Sequence, residues 1–334
     1  MASNKSNKAQ SAREHVFKKS VPLDSSLPKV KGYNFDNDFN IQEFLKAYSN
    51  MGAQATNLGK AIQIIKEMKK EKAFTYLGYT SSMVSSGLRD IFRYLVQNKQ
   101  VDVLVTTAGG IEEDLMKCLG DFKIGTFRVS GKKLREQGIN RIGNIFVENE
   151  LYCKFEDFAQ PILEELYQEQ IKNNTIVTPS KLIWKLGEKI NNPESICYWS
   201  YKNKIPIYCP AITDGAIGDQ IYFFKSKHHD FRLDVIEDIV SINNSTMNKK
   251  KTGVIILGSG VIKHHILNAN LFRNGTDYAV YINNAQEHDA SDAGALPEEA
   301  KAWGKILPDA KSVKVYGDAT IIFPLIVLSC FKLS

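Results

Sequence analysis

The stretch VDVLVTTAGGIEEDLMKCL, residues 101–119, decides the fold. Residues 101–107 are a mostly apolar run rich in Val. Ala108-Gly109-Gly110 then ends it, and a helical pattern starts from Glu112. A run this apolar suits a strand buried on both faces, as in a parallel sheet. Strand, glycine turn and helix in succession are half of a βαβ unit.

Outward from this stretch the alternation repeats. AFTYLGY (73–79) reads as a strand, and Leu88, Ile91, Phe92, Leu95 and Val96 after it share one helical face. IPIYCPA (205–211), VIILG (254–258), DYAVYIN (277–283) and VKVYG (313–317) read as further strands. Helices are predicted over the stripe Phe155, Phe158, Ala159, Ile162, Leu163, Leu166 and Tyr167, beyond Pro193, after Ser259-Gly260, and at the apolar C-terminus. A helical opening, 39–70, precedes the first strand. The expected fold class is α/β: a Rossmann-like parallel sheet flanked by helices, in a single large domain with an N-terminal helical extension. No repeat and no linker divides residues 33–334.

Composition narrows the function. With 334 residues, 43% hydrophobic and 24% charged, the chain is no disordered, collagen-like or disulfide-stapled polypeptide. The formal charge of +6 is concentrated in residues 1–32, which hold seven basic and two acidic side chains. This reads as a basic flexible arm, 1–32, in which HVFKKSVPL (15–23) can dock as a small helix. The rest is nearly neutral, so no nucleic-acid partner is expected. Cys118, Cys153, Cys197, Cys209 and Cys330 are odd in number and form no CxxC, so reduced thiols and no metal site are expected. The first fourteen residues hold no apolar leader, and the longest apolar stretch, Ala319–Phe331, is too short to span a bilayer. A cytoplasmic protein without a membrane partner is the expectation.

Ligands of an open α/β sheet bind beyond the carboxyl ends of its strands, beside helix N-termini. After 73–79 come Thr80, Ser81, Ser82, Met83, Val84, Ser85, Ser86 and Gly87. Small hydroxyls there either cap a helix or bond a phosphate. After 101–107, glycines let a ligand approach the backbone, and Glu112, Glu113 and Asp114 stand at a helix start. The helix dipole alone favours such charges, while a carboxylate at a strand end can also take ribose hydroxyls. Asp214 and Asp219 in TDGAIGD are turn residues, or ligands if aimed into a cleft. LGSGVIKHH (257–265) brings Lys263, His264 and His265. Adjacent histidines on a helix point different ways, so one can serve chemistry and the other structure.

NNAQEHDASDAGALPEEAKAWGKI (283–306) is the densest segment. It carries Asp289, Asp292, Glu298 and Glu299, and Pro297 opens a short helix ending near Trp303, Gly304 and Lys305. A polycation would need carboxylates to pair its ammoniums and a π face to rest on. A lysine in a closed, partly apolar site can lose its proton and become a nucleophile. A solvated acidic loop with an exposed lysine is the plain alternative.

These residues lie in a longer resemblance. FTYLGYTSS, RYLVQNKQVDVLVTTAGGIEEDLMKCL, RIGNIFVENELYCKFEDF, INNPESICYWSYKNKIPIYCPAITDGAIGD, GVIILGSGVIKHHILNANLFRNGTDYAVYINNAQEHDASDAGALPEEAKAWGKI and VKVYGDATIIFPL together resemble deoxyhypusine synthases over roughly residues 30–331. The resemblance implies an NAD-dependent enzyme that moves the 4-aminobutyl group of spermidine, through an imine on an enzyme lysine, to one lysine of the precursor of translation initiation factor 5A. It implies tetramers with sites shared between subunits. By matching position it makes Lys305 the imine-forming lysine and His264 the proton carrier. The spermidine pocket would be Glu112, Glu113, Asp219, His264, Asp292, Glu299, Trp303 and Lys305. The NAD site would be Ser81, Ser82, Met83, Val84, Ser85, Thr107, Ala108, Gly109, Glu113, Asp214, Ser259, Asn284, Ala285, Asp289, Asp318 and Ala319.

The chain departs from the family pattern in places. Ser82 stands where Asn is common, Ser259 interrupts a glycine triplet, and Asn284 stands where Thr is common. His288 replaces an aromatic, Leu296 replaces an Arg, and the segment before FTYLGY is short. Two other readings of the same resemblance are a regulatory, weakly active paralogue in a heterotetramer and an enzyme that forms homospermidine.

Overall fold

In chain order the strands are β1 (Phe74–Tyr79), β2 (Val103–Thr106), β3 (Lys123–Ile124), β4 (Ile139–Ile142), β5 (Ile145–Glu148), β6 (Ile207–Tyr208), β7 (Thr252–Leu257), β8 (Thr276–Asn283) and β9 (Ile306–Tyr316). The computed structural model describes residues 2–333, without the side chains of 2–7, 291 and 292. Six strands form one sheet in the order β6-β2-β1-β7-β8-β9, and every pairing in it is parallel. β2 and β7 are buried along their whole length and β1 and β8 almost so, because helices cover both faces. On one face Tyr79 stacks on Phe92, with ring centroids 4.3 Å apart. On the other, Tyr76, Val105, Val254 and Tyr281 pack with Ile262 and Ile266. The α/β single-domain architecture is the one read from the sequence.

The strand order matters for function. From β1 the chain winds outward through β2 to β6, then returns and winds the other way through β7, β8 and β9. The reversal lies between β1 and β7, where Tyr79 pairs with Leu257. A doubly wound sheet opens a crevice at such a switch point.

Several local expectations change. The helix after β2 runs Ala108–Leu119 and begins four residues before Glu112, with Thr107 as its N-cap residue. Its glycines are therefore helical rather than a turn. A Cβ on Gly109 would lie 2.6 Å from Ser81 Cβ, so the absent side chain lets the segments after β1 and β2 touch. β9 begins at Ile306 rather than 313, and a register shift between Thr276 and Tyr278 accommodates the extra length. A small antiparallel sheet, β3-β5-β4, was not anticipated, nor were the helices Pro179–Ile190 and Val235–Thr246. The opening region holds Ile41–Ala47 and Ala53–Lys70, and the second buries Leu58, Ile62, Ile65 and Met68. Ala2–Val16 is a helix whose described residues are exposed. No helix among the described residues is long and apolar enough to cross a membrane.

Candidate active site

Because the six strands are parallel, the segments that leave their carboxyl ends emerge on one edge of the sheet. Those segments are Ser81–Ser85 after β1, Thr107–Gly109 after β2, Asp214 after β6, Ser259 after β7, Asn284 and Ala285 after β8, and Asp318 and Ala319 after β9. The Ser81 N–H donates to Thr107 Oγ1 at 3.1 Å. Ser85 Oγ donates to the Glu113 carboxylate and to the Ser81 carbonyl. These hydroxyls thus tie segments together, and Ser86 Oγ accepts from Leu88 N at 3.2 Å where the next helix begins. Val84 faces the core with no exposure and offers a ligand only backbone, and Met83 packs against the same core. Ser82, Asp214, Asn284 and Asp289 are exposed. Asp318 caps the last helix, accepting from Thr320 N at 2.8 Å.

Two longer helices start at this edge, Ala108–Leu119 and Val261–Leu271, and no side chain caps either. Gly260, before the second, has φ +71° and open space where a Cβ would stand. Uncapped helix starts, the one at Gly260 beside open space, suit a pyrophosphate, and a buried carboxylate nearby suits a ribose. The residues present therefore fit a dinucleotide such as NAD.

The three consecutive carboxylates have different surroundings. Glu112 accepts from Ile217 N at 2.7 Å, and burial pushes its carboxyl up, with Asp219 and Asp214 adding to the push. Burial pushes Glu113 up to about 7, the Ser85 hydrogen bond opposing and Glu112 adding. Tyr152 stands beside both, and burial first, then the two carboxylates, push its hydroxyl up to about 12. Asp114 is structural. It pairs with Arg89 Nε at 2.8 Å and accepts from Ser195 Oγ, Ile196 N and Cys197 N.

A second cluster forms beyond β7, β8 and β9. The helix Pro297–Ala302 ends in a Schellman turn: Gly304, at φ +71°, donates to Lys301 O, and Lys305 N donates to Ala300 O at 3.0 Å. Lys305 O accepts from Thr276 N at 3.1 Å, so β9 begins at the next residue. The Lys305 backbone is thereby held on both sides. The residue is 8% exposed, with Nζ 3.3 Å from His264 Nε2 and 5.5 Å from the centre of the Trp303 ring. His264 Nδ1 meets Asn268 Nδ2 at 3.0 Å, one helical turn on. Burial, aided by His264, draws His265 down to about 4, so it is neutral near pH 7. Lys305, His264, Glu299 and Trp303 line a cavity of about 20 Å³ with Lys263 and Leu296. That is room for roughly one water. Trp303 is 65% exposed and Glu299 is also exposed.

The sequence-predicted residues thus fall into two groups. Among the described residues no hydrogen bond or ion pair joins Glu112, Glu113 or Asp219 to Lys305, His264, Glu299 or Trp303. The side chain of Asp292 lies outside the described residues. Three contributors escaped sequence reasoning: Tyr152, Asn268 and Asn283, whose Nδ2 donates to Gly258 O at 3.2 Å between the ends of β8 and β7. Only Asn268 carried a signal, its i+4 spacing from His264. Among the described residues no cluster of His, Cys, Asp or Glu is placed to hold a metal.

A doubly wound sheet with its switch point between β1 and β7, and a buried lysine beside a histidine, define an enzyme built on a Rossmann-like scaffold. The family model for deoxyhypusine synthase matches residues 43–330. Deoxyhypusine synthase of Senecio vernalis is 49% identical, the match covering 96% of this chain and 94% of that one. Deoxyhypusine synthase of Kluyveromyces lactis is 47% identical over 95% of each. A crystal structure assigned to the same family, from Entamoeba histolytica, superposes with a TM-score of 0.68 at 36% identity, covering 91% of this chain and 97% of that one. The chain belongs to the deoxyhypusine synthase family. It is a transferase of hypusine biosynthesis.

Proposed function

We propose that this enzyme moves the 4-aminobutyl group of spermidine to one lysine of the translation initiation factor 5A precursor, with Lys305 as the covalent carrier and NAD as cofactor. The observation that carries the reading is the Lys305–His264 pair: a buried amine, 3.3 Å from an imidazole nitrogen, on a backbone fixed at both ends. NAD, when bound, would take up the electron pair that turns the substrate amine into an imine and return it at the end. Ser81 to Ser85, Thr107 to Gly109, Glu113, Asp214, Ser259, Asn284, Ala285, Asp289, Asp318 and Ala319 would hold it.

The other steps fall to the chain's own residues. Glu112, Glu113, Asp219, Asp292 and Glu299 pair the ammonium groups of spermidine, and the Trp303 ring covers its carbon chain. The Lys305 amine adds to the imine carbon, the bond from that carbon to the leaving nitrogen breaks, and 1,3-diaminopropane departs. Lys305 then carries the four-carbon unit as an imine. The acceptor lysine adds at the same carbon and frees Lys305, and reduction of the new imine completes deoxyhypusine. His264 moves protons at Lys305 Nζ.

The pocket around Lys305 holds about one water, whereas Trp303 beside it is open. This supports an assembly in which a second subunit supplies the Glu112–Asp219 wall, in a homotetramer or a heterotetramer with a paralogue. The cysteines, none of them in a disulfide among the described residues, support a reducing, cytoplasmic setting. The test is turnover by the purified chain with NAD, radiolabelled spermidine and the factor precursor. Label on the precursor supports the reading. Spermidine cleavage without labelled precursor would instead favour homospermidine formation or another acceptor, and neither event would favour a subunit that needs a partner.

A further inference from the structure

The helix Ser81–Ser85 has only five residues, too few to stabilise itself, and its last carbonyls have no partners within it. Lys117 Nζ meets three of the carbonyls at its end: Val84 O at 2.8 Å, Ser85 O at 2.7 Å and Ser86 O at 3.0 Å. An ammonium has three N–H donors, so all are in use. A cation at a helix carboxyl end is also where the dipole favours it. Glu113 stands one turn earlier on the same helix and accepts from Ser85 Oγ. The helix Ala108–Leu119 thus grips this segment twice, by a side chain through Glu113 and by backbone through Lys117.

We propose that Lys117 is a positioning residue for the cofactor: it locks the Ser81–Ser85 segment in place against Thr107 and Gly109. The inference rests on the reading that NAD lies along this segment. The charged groups around Lys117 are Glu113 and Asp114 on its own helix and Arg89 and Asp90 on Leu88–Gln97, and the Phe122 ring lies 5.3 Å from Nζ. Burial, with Arg89 adding, draws the Lys117 amine down to about 8, which still leaves it an ammonium near neutral pH. Removing it strands three carbonyls at the end of a helix that cannot hold its own shape. The loss falls on cofactor binding and leaves the Lys305 pocket untouched.

The experiment uses the full-length enzyme. In Lys117→Met the NAD dissociation constant, by calorimetry, should rise about 10- to 100-fold. Amide exchange of the cofactor-free protein should quicken over residues 81–88 and stay slow elsewhere. The kcat at saturating NAD should stay within about twofold, and Lys117→Arg should recover most of the affinity. Lys117→Gln carries the same test if the methionine variant fails to fold. Wild-type affinity, or exchange that quickens evenly along the chain, would overturn the proposal. Gly109→Val separates it from the reading beneath it. NAD binding lost in Gly109→Val but unchanged in Lys117→Met sinks the clamp alone, whereas binding unchanged in both sinks the cofactor site.

Discussion

The two halves of the candidate active site are built differently. Around β1 and β2, carboxylates and hydroxyls are buried and satisfied by the chain itself: Glu113 by Ser85, Glu112 by Ile217, and Asp114 by Arg89 and the start of the Ile196–Asn203 helix. Around β8 and β9 the Lys305 amine is buried, but its neighbours Trp303 and Glu299 face outward. On the proposed reading, the wall that holds a resident cofactor is finished within one fold, and the wall that must admit two successive substrates stays open.

Four substitutions test this contrast. The largest effect is expected from Lys305→Ala, which should lower aminobutyl transfer by about a thousandfold or more. NAD affinity and assembly should stay near wild type, because none of the residues proposed to hold NAD bonds the Lys305 amine. Normal transfer by this variant would end its assignment as carrier. Next, Asp114→Ala leaves the Arg89 charge buried without its carboxylate, and should cost about 3–5 kcal/mol of stability in denaturant unfolding. A loss under about 1 kcal/mol would show that the β1–β2 half is not held from within.

The third concerns pH. Glu113 binds its proton up to about 7 when folded, against an ordinary value of 4.5, so the folded state holds that proton over the window between. Its contribution to stability is fully present below 4.5 and is lost as pH rises through about 7. Between pH 5 and pH 8 the wild type should lose on the order of 2 kcal/mol more than Glu113→Gln. Parallel unfolding curves would contradict this. The smallest effect belongs to Trp303→Leu. Being exposed, Trp303 should change stability by less than about 0.5 kcal/mol. The KM for spermidine should rise about tenfold. A large drop in melting temperature would place Trp303 in the wrong half.

Much of this was legible from residues, for definite reasons. The buried strands announce themselves because helices on both faces leave no polar alternation, as in Val103–Thr106 and Thr252–Leu257. The antiparallel β3-β5-β4 sheet stayed hidden because its strands are two to four residues long and partly exposed. At the site, Lys305 and His264 were candidates from their segments alone, and only a motif shared with a family singled them out from their neighbours. Their meeting at 3.3 Å joins residues 41 positions apart, which no local pattern reveals. Lys117 and Asp114 were invisible in their roles. A lysine capping another helix and an acid bonding a third look, in sequence, like ordinary helix surface.

The Schellman turn has a kinetic corollary. With the Lys305 backbone fixed on both sides, only the torsions of its side chain are free. Such an arm reaches about 6 Å from its pivot. Donor and acceptor must then occupy the same spot at different times, and on the proposed reading diaminopropane leaves before the protein acceptor can react. Initial-rate plots for spermidine and the factor precursor should be parallel lines, the signature of a ping-pong enzyme.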